Sequence, residues 1–131
     1  MKDLRSGAAE VSYALARVVF GFLFACHGAQ KLFGVLGGQA TDTHLRMAAA
    51  IIEFFGGVLI ALGLITSVAA FIACGEMAIA YFKVHAPKGF FPIQNRGEAA
   101  VMFCFFFLYA IFRGGGPYSL DDLFRWHRGA S

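Results

Sequence analysis

Apolar residues dominate four blocks of the chain, 11–33, 47–65, 67–84 and 98–112, and polar or helix-breaking joints separate them. Crossing about 30 Å of hydrocarbon takes about 20 apolar residues in a helix. The first three blocks come near that length. The fourth is shorter, but "AAVMFCFFFLYAIF" is dense enough to count as a span, and Arg113 can snorkel from its end. The pattern predicts an all-α fold: an integral membrane four-transmembrane-helix bundle, in one domain over residues 1–131.

The joints sharpen this reading. "GVLGGQATDTHLR" is a polar, glycine-rich loop, whereas only "TS" separates the second and third blocks, which demands a tight antiparallel hairpin or a bend within the membrane. In "KVHAPKGFFPIQNRG" prolines and glycines break the helix, and Phe90, Phe91 and Ile93 suit the interface. Gly114 to Pro117 stop the fourth span. Ser119 with Asp122 then resembles a capping box that opens a short helix within residues 117–131. Leu120, Leu123, Phe124 and Trp126 beside Arg125 and Arg128 predict that this C-terminal helix lies on the membrane surface.

Composition agrees with a membrane protein. The chain is 59% apolar and only 15% charged, with 16 phenylalanines, too charge-poor for an ordinary soluble domain. The net charge of +3 is scattered, and no basic stripe points to nucleic acid. The N-terminus mimics a signal peptide, but Arg17 interrupts its apolar core and Phe24 suits a cleavage box poorly, so the expected mature chain starts at residue 1. Four spans put both termini on one side. Lys2, Arg5, Arg113, Arg125 and Arg128 there, against Arg46, Lys83, Lys88 and Arg96 opposite, lean towards cytoplasmic termini. The setting expected is a bacterial cytoplasmic (inner) membrane, with the lipid bilayer as the first partner.

Ionisable groups inside spans are costly and need an account. His27 lies roughly 24 Å from the start of the first span, and Glu53 about 9 Å into the descending second, which brings both to the outer end. His85 closes the third span at that level and Glu98 opens the fourth. Lys31, four residues after His27, shares its face, and Asn95 and Arg96 precede Glu98. Each helix thus brings an ionisable group to one end of the bundle. Gly21, Gly28, Gly56 and Gly57 would let the helices approach closely there. Glu53, set among isoleucine, phenylalanine and glycine, needs a partner. Arg17 and the deep Glu76 could pair with each other. Cys26, Cys74 and Cys104 fall in different blocks with no CxxC, so they read as small apolar side chains, which argues against a direct dithiol mechanism.

In order along the chain, "RVVFGFLFACHGAQKLFG", "EFFGGVLIALGLITSVAA", "MAIAYFKVH", "NRGEAA" and "GGGPYSLDD" resemble the motifs of the DoxX family of small four-helix membrane proteins, from about Arg17 to Asp121. The resemblance implies membrane redox chemistry. Family members are described as subunits of quinone-reducing thiosulfate oxidoreductases or as partners of thiol and oxidative-stress proteins, and relatives include maturation factors. Motif positions carry over to Arg17, His27, Gly28, Lys31, Glu53, Gly57, Asn95, Glu98, Pro117 and Asp121.

The function expected is a quinone-interacting redox subunit of an oxidoreductase system. His27 and Glu53 would exchange protons, with Lys31 or Asn95 polarising a quinone carbonyl. Asn95, Glu98, Gly28 and Gly57 would form the cofactor-binding surround, and Arg17, Glu76 and Asp121 would be structural. No haem, flavin or dithiol motif supplies electrons, so a protein redox partner is implied, and a homo-oligomer is open. Two other readings stand beside it. One is a metal or haem site built from His27 and His85 with Glu53 or Glu98; the other is a non-catalytic scaffold that recruits a redox or stress partner.

Overall fold

The computed structural model describes residues 2–129, with side chains placed for residues 3–125. All regular structure among the described residues is helical. Helix α1 spans Lys2–Phe33, α2 His44–Leu62 and α3 Thr66–Ala80. Beyond Ala80 the third helix widens into a π-turn, Tyr81–His85, and tightens into a 3₁₀ turn, Ala86–Lys88. A single turn, α4 (Pro92–Asn95), precedes α5 (Glu98–Arg113), and α6 (Leu120–Gly129) ends the described chain.

Three helices are long and apolar enough to cross a membrane: Asp3–Phe33, His44–Leu62 and Thr66–Lys88. α5 has 16 residues, a length of about 24 Å, and falls short of that standard. Glycines bound it at both ends, Gly97 before its first turn and Gly114 after its last. The expected fourth span is therefore a shorter helix than the other three. α1 starts at Lys2 rather than at residue 11, because nothing in "KDLRSGAAE" breaks a helix and polar residues can continue one into water. α2 stops at Leu62 because Gly63 turns left-handed, at φ 71°, and its N–H bonds back to Ile60.

α1 packs along α2 and α3 along α5, with α2 against α3 joining the pairs. Lipid tails are as apolar as the helices, so close backbone approach must do the work that hydrophobic burial does in water. The α1–α2 seam meets that demand with small residues. A β-carbon on Gly28 would sit 2.7 Å from the Phe54 Cα, and one on Gly21 would sit 2.7 Å from the Gly57 carbonyl oxygen. Gly57 in turn lies against the Ala25 backbone, whereas Gly56 faces only the Phe24 ring edge. The buried core joins Phe24, Ile60, Ala70, Ala73, Phe103 and Phe107. Other large apolar side chains, such as Phe22, Phe71, Phe105 and Phe112, point outward, as a lipid-facing surface requires.

One end of the bundle is clamped by polar groups. Arg17 is 2% exposed and donates to the Ile60 carbonyl at 3.0 Å, the Gly115 carbonyl at 2.5 Å and the Tyr118 carbonyl at 3.1 Å. The Ile60 carbonyl in the last α2 turn thus accepts both from Gly63 N, at 3.1 Å, and from Arg17, which ties the segment after α5 to that turn. Asp121 caps α3 from a distance: Oδ1 accepts from Ile65 N at 2.7 Å, and Oδ2 accepts from Thr66 N at 2.9 Å and from the Thr66 hydroxyl at 2.8 Å. These bonds hold Ile65 at φ 42°, a left-handed conformation costly for a β-branched residue. The expected pair of Arg17 with Glu76 does not form. Arg17 is spent on carbonyls at the hairpin end, and Glu76 lies ten residues along α3 from Thr66, about 15 Å away from that end.

At the same end Glu10 pairs with Arg113, and the Tyr13 hydroxyl donates to the Gly114 carbonyl at 2.6 Å. Ser119 Oγ accepts from Asp122 N at 3.2 Å and so caps α6. Trp126 and Arg128, part of the expected surface helix, lie outside the described side chains.

Candidate functional site

The opposite end of the bundle opens into a cleft of about 310 Å³ between α1, α2, α3 and α5. Helical spacing decides which side chains reach it. Phe24, His27 and Lys31 recur at three and four residues and so share one stripe of α1. Met77 and Ala80 line it from α3 and Val84 from the π-turn beyond, while Ala99, Ala100 and Phe103 line it from the start of α5 with Arg96 just ahead of that helix. Glu53 completes the lining from α2. The π-turn adds one residue to the circuit of α3, as such turns do where a helix must re-aim a side chain, and His85 joins the lining from its end.

Lys31 Nζ lies 2.6 Å from Glu53 Oε2. The exposure of the two partners is unequal, 28% for the lysine side chain and 4% for the carboxylate. Glu53 sits where α1 and α2 touch backbone to backbone, between the Ala50–Phe54 contact of Gly28 and the Gly57 contact with Ala25. Its charge is therefore answered by Lys31 and not by water. His27 stands at the cleft surface with its ring edge-on to Phe103, centroids 5.8 Å apart at 90°.

His85 Nδ1 is 3.1 Å from the Asn95 carbonyl. A carbonyl only accepts, so this contact assigns the proton to Nδ1 and leaves Nε2 an acceptor in the neutral ring. Asn95 itself is 1% exposed and wholly engaged. Its amide N–H groups donate to the Gly89 carbonyl at 2.6 Å and the Tyr81 hydroxyl at 3.2 Å, and its Oδ1 accepts from Gly97 N at 2.8 Å. The Tyr81 hydroxyl in turn donates to the Phe90 carbonyl. The segment after α3 is thus a knotted cap beside the cleft, which fixes His85 and holds Arg96 at φ 61° on the cleft rim.

The structure sorts the expected site residues. It gathers His27, Lys31, Glu53 and His85 in one cleft, with Arg96 beside them. Asn95, expected to polarise a ligand, instead spends its side chain on the loop, because both of its donors are already used. Glu98 is exposed and does not line the cleft. Gly28 and Gly57 are buried in the α1–α2 seam, where their role is close helix approach rather than ligand contact. Among the described residues no three of His, Cys, Asp and Glu are grouped to hold a metal ion. The ligand set of His27 and His85 with Glu53 or Glu98 is therefore not assembled, since Glu53 is turned to Lys31 and Glu98 away. Glu76 keeps a buried carboxylate oxygen with no hydrogen-bond partner among the described residues. The sequence pattern did not single out the apolar walls Phe24, Met77 and Phe103, although the three-residue step from His27 back to Phe24, on one helix face, carries that signal.

The DoxX family's sequence signature matches residues 12–86. A Haemophilus influenzae protein described only as uncharacterized is 42% identical over 119 residues, covering 85% of this chain and 89% of that one. No solved structure matches.

Proposed function

The chain belongs to the DoxX family of membrane proteins, and from that premise we propose that it is a quinone-interacting redox subunit whose substrate head group enters the cleft. The observation that carries this reading is the convergence of His27, Lys31, Glu53 and His85 on a cavity otherwise walled by Phe24, Met77, Val84 and Phe103. A quinone head group is a flat apolar ring with acceptor oxygens on opposite edges. It calls for an apolar slot with donors at its ends, and a cavity near 310 Å³ falls in the size range of small-molecule sites.

Reduction of a quinone consumes two electrons and two protons. Histidine exchanges protons readily at neutral pH, and His27 and His85 stand on the lining to do so. Lys31, held by Glu53, presents a fixed ammonium that favours negative charge developing on a substrate oxygen. Arg96 on the rim adds a second cation. Electrons come from a protein partner. In this reading α5 serves as a fourth, short span, α6 rests on the membrane surface, both termini face the cytoplasm, and the membrane is the bacterial inner membrane.

The test is bound quinone. Wild type, His27→Ala and Phe103→Ala are purified in nanodiscs of defined lipid, and quinone in the organic extract is quantified by mass spectrometry beside far-ultraviolet circular dichroism. Retention by wild type with loss in both helical variants is the expected result. Equal, negligible quinone in all three refutes the reading.

A further inference from the structure

Outside the cleft, the structure joins two cysteines that the sequence holds 30 residues apart. Cys74 on α3 and Cys104 on α5 place their sulfurs 3.7 Å apart, and the Cys104 thiol donates to the Cys74 backbone carbonyl at 3.6 Å. Both are free thiols of intermediate exposure, and neither lines the cleft. Small residues on the two helices, Ala70 and Ala73 on α3 and Ala100 on α5, are buried at the same seam. A disulfide needs its sulfurs at about 2.05 Å, so closure from 3.7 Å takes about 1.7 Å of sulfur movement.

We propose that Cys74 and Cys104 form an intramembrane dithiol that a lipid-dissolved quinone oxidises to a disulfide linking α3 to α5. The two partly exposed thiols give such an oxidant access from the bilayer, where water-soluble oxidants partition poorly. The reaction balances without a third component. Two S–H bonds break and one S–S bond forms, and the two electrons and two protons convert the two quinone carbonyls to the hydroxyls of a hydroquinone. Thiolate formation is the demanding step, since the thiolate and not the thiol is the nucleophile, and the polar contacts of the Cys104 sulfur among the described residues are the neighbouring sulfur and the Cys74 carbonyl. The site is independent of the cleft and needs none of its residues.

The experiment uses the full chain, reduced and held anaerobically in nanodiscs, with a short-chain benzoquinone whose ring is fully substituted so that thiols cannot add to it. After reaction the protein is unfolded and its thiols are labelled with a maleimide. The expected result is a fall from three labelled cysteines to Cys26 alone. A crosslinked peptide joining Cys74 to Cys104 and one hydroquinone per disulfide accompany it. Cys26→Ser and His27→Ala leave this reaction unchanged, whereas Cys74→Ser and Cys104→Ser each abolish it. Three thiols still labelled, with no hydroquinone, overturn the proposal, as does a crosslink that includes Cys26. The wild-type readout needs no variant to fold, and the His27→Ala arm separates this result from the fate of the cleft reading.

Discussion

Breaking the Lys31–Glu53 pair from its two sides has unequal consequences. At 2.6 Å the attraction between unit charges is about 6 kcal/mol for an effective dielectric of about 20, most of it offset by the cost of taking both from water. Lys31→Met leaves the carboxylate, 4% exposed and hemmed by the α1–α2 seam, without its ion-pair partner. That loss is about 3–5 kcal/mol. Glu53→Gln leaves the lysine, 28% exposed and in the last turn of α1, where the ammonium can snorkel to headgroups and favours the helix C-terminus. That loss is about 1 kcal/mol. The double variant carries no stranded charge, so it is more stable than Lys31→Met alone. Reversible unfolding in mixed micelles, followed by circular dichroism, measures all three. Equal costs for the two single variants, or a double variant at their sum, would refute the reasoning.

Three further outcomes follow from the same geometry. Asp121→Ala strips the cap from Ile65 and Thr66 and lowers stability by about 2–4 kcal/mol, with faster hydrogen exchange in the first turn of α3 as the local readout. Ile65→Gly relieves left-handed strain at φ 42° and raises stability by about 0.5–1 kcal/mol after the entropic cost of glycine; a fall in melting temperature would contradict it. Glu76→Met removes a buried carboxylate oxygen that has no partner among the described residues and stabilises the bundle by about 1–3 kcal/mol in the same unfolding assay, and a loss would mean that Glu76 has a partner not yet identified.

The sequence by itself determined the class of the fold and the end of the bundle where ionisable groups collect. Apolar block length sets how often a helix can cross hydrocarbon, and a rise of about 1.5 Å per residue is enough to level His27 with Glu53. Small residues at 21, 28 and 57 likewise announced a close seam, because their meaning depends only on size. What the sequence could not hold was pairing across helices. Lys31 turns to Glu53, Arg17 to carbonyls rather than to Glu76, and Asn95 to its own loop, because a side chain's partner depends on how helices rotate about their axes, a quantity that no local pattern records. The π-turn that carries His85 to the cleft and the meeting of Cys74 with Cys104 have the same origin: each is a matter of register between helices, and register exists only once the helices have packed.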